Sequence, residues 1–90
     1  DMSINMEQMM LLRDAVEYQP SNSPGAMKQY QIAIYDLRDR YRSEQLQKMG
    51  FFVFIEENNN HANKEWHHKI YQATPLGVHF YNMIKQVISI

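Results

Sequence analysis

Over residues 4–18 the apolar positions Ile4, Met9, Leu12 and Val16, with Met and Leu neighbours, fall at mixed three-, four- and five-residue intervals. That spacing wraps a wide apolar stripe along a helix and predicts one here, ending at Gln19-Pro20. Residues 20–25 read PSNSPG. Two prolines without backbone donors and a glycine with free backbone torsions make this stretch a loop. From Met27 onward, Tyr30, Ile34, Leu37 and Tyr41 recur at alternating intervals of four and three, the spacing of one helix side. Ser43 can interrupt or cap at this point, after which Leu46 and Met49 continue an apolar side up to Gly50, a helix-ending residue. Residues 27–49 are therefore expected to be helical, as one bent helix or as two joined by a turn.

Residues 51–55, FFVFI, are dense in aromatic and β-branched side chains, and 66–73 form a second candidate strand, with a polar, asparagine-rich stretch between them. The two read as a β-hairpin with a long tip. Tyr71 and Ala73 would share one face of the second strand, and Trp66, His68 and Ile70 the other. Thr74-Pro75 suits a helix start, threonine as the N-cap and proline at the first helical position. In the last helix, 75–88, Val78, Tyr81, Ile84 and Ile88 define one apolar line, while Phe80, Met83 and Val87 widen it beyond the need of one small core. The excess predicts a homodimer face at Phe80, Met83, Ile84 and Val87, with complete burial against the first helix as the alternative.

Ninety residues with 44% hydrophobic content suffice for a single core, so one domain over 1–90 is expected. The chain has no cysteine, which leaves stability to packing. No apolar run approaches the roughly 20 residues of a membrane span, and no export signal is read at the N-terminus, so a cytoplasmic protein is expected. A formal charge of −1 gives no global attraction for a polyanion. Charge is uneven, however. Residues 1–18 carry Asp1, Glu7, Asp14 and Glu17 against Arg13, whereas 28–48 hold Lys28, Arg38, Arg40, Arg42 and Lys48 against Asp36, Asp39 and Glu44.

Helix, loop, helical segment ending in glycine, hairpin and last helix, in that order, resemble the winged helix-turn-helix domains of bacterial regulators in the PadR and MarR groups. Two anchors carry the resemblance. Leu46-Gln-Lys-Met-Gly50-Phe51 resembles the end of a recognition helix entering the wing, and Tyr71-Gln-Ala-Thr74-Pro-Leu-Gly77 resembles the junction from wing to last helix. The resemblance covers about residues 27–82. It implies an α+β winged helix with three N-terminal helical segments, a two-stranded β-hairpin wing and a C-terminal helix. It also implies sequence-specific binding of double-stranded DNA by a homodimeric transcriptional regulator. Three features depart from the pattern: the helix-turn-helix spacing before Gly50 does not align, Glu56 and Glu57 stand in the wing, and no arginine follows Arg42. No base-contacting residue is carried over.

Arg38, Arg40, Arg42 and Lys48, with Gln45 and Gln47, would present a helix to DNA, since guanidinium groups pair with phosphate or guanine edges and amides read adenine. Tyr30, Tyr35 and Tyr41 would add hydroxyl contacts to phosphate. The opposing reading is a solvated helix face whose cations pair with Asp36, Asp39 and Glu44. Asn59 and Lys64 at the wing tip are candidates for a supporting contact. His61, His67, His68 and His79 do not amount to a metal site, because adjacent His67 and His68 point to opposite faces of a strand and no cysteine completes a set. No metal or cofactor is expected. No phosphate loop, nucleophile elbow or metalloprotease helix motif is present, which argues against an enzyme. The rival class is a winged-helix module that binds protein without binding DNA.

Overall fold

Asn5 starts the first helix: its side chain accepts the Gln8 backbone N–H at 2.8 Å, and the Gln8 side chain accepts the Asn5 N–H at 3.0 Å. The computed structural model describes residues 3–88. Its elements are α1 (Met6–Val16), β1 (Gln31–Ile34), α2 (Leu37–Lys48), β2 (Phe52–Asn58), β3 (His68–Ala73) and α3 (Pro75–Ile88), with a 3-10 turn at Lys64–Trp66. The protein is thus α+β, three helices with a three-stranded antiparallel sheet in the order β1-β3-β2. The helices predicted over 4–18 and 75–88 form as α1 and α3, and the hairpin forms from β2 and β3.

The segment 27–36 is not helical, contrary to the expectation from its spacing. Tyr30 takes a left-handed backbone at φ +68°, and the next four residues pair with β3, from Gln31 opposite Gln72 to Ile34 opposite Lys69. The helix begins only where Asp36 accepts the N–H groups of Arg38 and Asp39 at 3.1 and 3.3 Å. The spacing of Tyr30, Ile34, Leu37 and Tyr41 therefore straddles two elements. Ile34 is buried in the sheet, whereas Leu37 is 77% exposed and Tyr41 also faces outward. Ser43 neither interrupts nor caps α2: it lies in the middle of the helix, buried, its hydroxyl without a hydrogen-bond partner. One helix stands between β1 and β2, so the three predicted N-terminal helical segments are two, α1 and α2.

Gly50 closes α2 at φ +85°, with its N–H donating to Gln47 O and the Phe51 N–H reaching back to Leu46 O at 2.9 Å. This is the double carbonyl cap that needs a left-handed residue, which glycine supplies without steric cost.

Pairing register divides the sheet into two faces. Ile34, Phe52, Tyr71 and Ala73 lie on one, where they pack with Met9, Leu11, Leu12 and Ala15 of α1, Leu46 of α2 and Tyr81 of α3. Ala33, Val53, His68 and Ile70 lie on the other, away from that core. A bulge between Phe54 and Glu56 leaves Ile55 as the extra residue, and β2 continues to Asn58, beyond its predicted end. Trp66 belongs to the 3-10 turn, so it does not share a strand face with His68 and Ile70 as the alternation suggested.

Two locks hold α3 in place. At its start the Thr74 hydroxyl donates to Gly50 O at 2.6 Å and accepts the Gly77 N–H at 3.0 Å, joining the end of α2 to the cap of α3. Further along, fully buried Tyr81 donates its hydroxyl to the Glu17 carboxylate at the end of α1, which also meets Lys85 at 3.5 Å. The tyrosine hydrogen bond holds Glu17 below the usual carboxylate range, while burial, reinforced by Glu17, pushes Tyr81 up to about 12. Glu17 thus contributes stability that is present above its unfolded pKa and lost as pH falls through the lowered folded value. Tyr81 contributes below its ordinary 10.0, and its contribution is lost as pH rises through about 12. Tyr81→Phe is expected to lower the thermal midpoint at neutral pH and to flatten its decline in acid, measured by circular dichroism across pH. An acid limb unchanged in the variant would show that this contact does not set it.

Candidate nucleic-acid interface

The outward side of α2 carries Leu37, Tyr41, Glu44 and Lys48 at intervals of four, three and four, with Arg38 beside Leu37. Its inward side is set by buried Ser43 and Leu46. This phase decides which of the nominated side chains reach solvent. Arg38 and Lys48 do. Arg40 turns to the hairpin, donating to His67 O at 3.2 Å, with its Nε buried and unpartnered. Arg42 is paired to Asp39 at 2.8 Å. Gln45 accepts from the Gln8 side chain at 2.7 Å and ties α2 to α1. Arg40 and Gln45 tie α2 to the hairpin and to α1, Arg42 is paired within α2, and the arginine run of the sequence is not a continuous basic stripe.

Between α2 and the hairpin runs an open cleft of about 730 Å³, lined by Glu44, Gln47, Lys48, Phe54, Glu57, Lys69 and Tyr71. Tyr71 and Phe54 meet edge to face at 5.6 Å to form its floor, and burial raises the Tyr71 pKa. Lys69 was not singled out from the sequence. The available signal was its register on β3, which places it on the same face as Tyr71. At the far end of the hairpin the Asn59 amide donates to the Glu57 carboxylate at 2.6 Å, which holds Glu57 below its usual range. Lys64 is exposed at the head of the 3-10 turn that Asn63 caps.

On α3, Phe80 stacks on Phe51 at 4.5 Å and, like Ile84, packs half-buried against the core. Met83 and Val87 are left exposed, Val87 at 80%, and so is Leu76, which the sequence reading did not select. Leu76, Phe80, Met83 and Val87 follow one another at intervals of four, three and four along one side of the helix. The side chain of Ile88, placed on the core line by the sequence, lies outside the described residues.

Among the described residues no group of three or more His, Cys, Asp or Glu side chains is placed to hold a metal ion, and no helix is long and apolar enough to cross a membrane. The site so defined is an outward helix side flanked by a hairpin in a small α+β domain. Comparison with family models, with curated proteins and with solved structures finds no match to this chain.

Proposed function

We propose that the protein binds double-stranded DNA as a winged-helix module, with the outward side of α2 in the major groove and the end of the β2–β3 hairpin against the flanking backbone. The observation that carries this reading is the pairing of one helix side, free from Leu37 to Lys48, with a hairpin that runs beside it and ends in exposed Asn59 and Lys64. A helix of this diameter fits the major groove, and a neighbouring hairpin supplies phosphate contacts that fix its register. In a helix-turn-helix two helices would stand where α2 stands alone, so here the sheet and α1 take over the support of the presented helix. Arg38, Lys48 and Lys64 supply the phosphate charge. Amide shifts of labelled protein on adding duplex DNA test the assignment: they should fall on the outward side of α2 and at 59–64, and shifts confined to other surfaces would refute it.

A homodimer belongs to the same proposal. Two copies meeting along Leu76, Phe80, Met83 and Val87 would bury the apolar side of α3 and place two α2 helices on one duplex, doubling the number of cations that meet phosphate. Residues of α3 flanking this line, Gly77, His79, Ile84 and Gln86, include no carboxylate, lysine or arginine, so the helix itself brings no fixed charge to this side. Met83→Lys and Val87→Glu, each made alone, are expected to give folded monomers by light scattering and circular dichroism, with weakened DNA binding. A wild-type chain that stays monomeric at high concentration would remove the dimer.

A second reading, a protein-binding module, is favoured by one observation. Glu44 and Glu57 line the cleft and would repel phosphate there, while Leu37 and Tyr41 expose apolar surface beside it.

A further inference from the structure

The two faces of the hairpin differ in chemistry. Lys69, Tyr71, Phe54 and Glu57 look into the cleft beside α2, whereas His68 and its cross-strand partner Asn58 lie on the opposite face. There they join Tyr35, Asn60, His61 and Trp66 around a separate open hollow of about 320 Å³. Trp66 is 59% exposed, an unusual state for the largest apolar side chain of a small domain. It is nonetheless supported: the His61 ring stacks on it at 5.1 Å and 13° from parallel, while more than half of the residue stays open to solvent. Tyr35 and His68 form a second ring pair, 4.9 Å apart.

Hydrogen bonds fix what the rim of this hollow offers. His61 Nδ1 accepts the Asn63 backbone N–H at 3.0 Å, so in the neutral ring Nε2 carries the proton and is a donor. His68 Nδ1 lies 3.0 Å from Trp66 O, which can only accept. In the neutral ring the proton is therefore on Nδ1, and Nε2 is left as an acceptor. Asn58 Oδ1 takes the Asn60 N–H at 3.2 Å, which leaves the Asn58 amide N–H groups as donors. The lining holds no Lys, Arg, Asp or Glu, and Asp36, Glu57, Glu65 and Lys69 adjoin it in sequence. The lining itself thus offers no fixed counter-charge to an ionic ligand.

We propose that the hollow formed by Tyr35, Asn58, Asn60, His61, Trp66 and His68 binds a small uncharged ring that lays an apolar face on Trp66 and presents both donors and acceptors at its edge. A pyranose and a nucleoside both have this chemistry, the first through its C–H face and hydroxyls, the second through a stacked base and its amide-like edge. The hollow opens on the side of the hairpin away from the α2 cleft and shares only Asn60 and His61 with the hairpin end assigned to DNA.

The chain has one tryptophan, so its indole N–H gives a single resonance that reports on the site. Labelled protein titrated to millimolar concentrations of methyl glucopyranoside in one series, and of adenosine in another, should show saturable shifts of that resonance and of the amides of Asn58, Asn60 and His61. A response to either probe supports the proposal, and the responding series identifies the source of the ring. Trp66→Ala, an exposed position, should leave the remaining spectrum in place and weaken binding at least tenfold as read on Asn58 and Asn60. Should that variant disturb the hairpin, Asn60→Ala provides the same readout on the Trp66 indole. No shift with either probe, or shifts that survive both substitutions, would overturn the proposal and leave the α2 reading untouched.

Discussion

Gly77→Ala is expected to cost about 3 kcal/mol or more and to leave the domain with little or no cooperative unfolding transition. A Cβ at this position would stand 2.3 Å from Phe51 O and 3.1 Å from Phe51 Cα and C. Those are backbone atoms, and they have no freedom to retreat: Phe51 O accepts the Thr74 N–H at 2.9 Å, and the Phe51 side chain is buried against Phe80. Relief would require α3 to lift from the end of α2, which would also break the two Thr74 hydroxyl contacts. A helical alanine normally stabilises relative to glycine, so the steric effect must overcome a gain of up to about 1 kcal/mol. Gly25→Ala makes the control, because nothing lies within 4 Å of its Cβ and only the backbone strain at φ +80° is added. Thermal unfolding followed by circular dichroism should show a collapse for the first variant and a shift of a few degrees for the second. Equal, small shifts would mean that the packing of α3 on Phe51 is looser than described.

Arg38→Glu combined with Lys48→Glu is expected to weaken DNA binding on the order of tenfold to a hundredfold at low salt while leaving the fold intact. Both side chains lie on the exposed part of α2. The same change at Arg40 or Arg42 is a poorer test, since Arg40 braces the hairpin through His67 O and Arg42 is already paired with Asp39. Loss of binding there would mix fold with function. Unchanged affinity in the Arg38 and Lys48 double variant would turn the assignment toward the protein-binding reading, for which Leu37 and Tyr41 supply the contact surface.

How far the sequence could lead depends on the element. α1 and α3 were legible because each keeps its apolar period over more than two turns, and Thr74-Pro75 marks the start of α3; the Asn5 and Gln8 pair that starts α1 was present in the sequence but was not singled out. The hairpin was legible from aromatic and β-branched density, although its bulge and the 3-10 turn holding Trp66 were not, since both depend on pairing rather than composition. β1 was hidden by its length. Four residues are too few to show a period of two, and Ile34 happens to fall at helical distance from Leu37 and Tyr41. Asp36, followed by an unbroken helical run, was the cue that would have moved the helix start.

That misplacement carried into the candidate site. The spacing put Leu37 and Tyr41 on one apolar helix side and left Arg38, Arg40 and Arg42 to be taken together as a DNA-facing set. In the observed phase Leu37 and Tyr41 themselves face outward, and Arg40, Arg42 and Gln45 are drawn into contacts with the hairpin, Asp39 and Gln8. Arg38 and Lys48 stay exposed near the two ends of α2, Lys48 on the side away from Leu46 and Arg38 on the flank that Gln45 and Arg42 share.

Binding to a labelled duplex, measured by fluorescence anisotropy across a salt series, tests the central claim most directly. Arg38, Lys48 and Lys64 each displace counterions when they meet phosphate, so the logarithm of the association constant should fall against the logarithm of salt with a slope of about −3 per protomer, and about twice that for a dimer. An absence of binding at the lowest salt, or an affinity that does not respond to salt, would contradict the assignment of DNA to this surface.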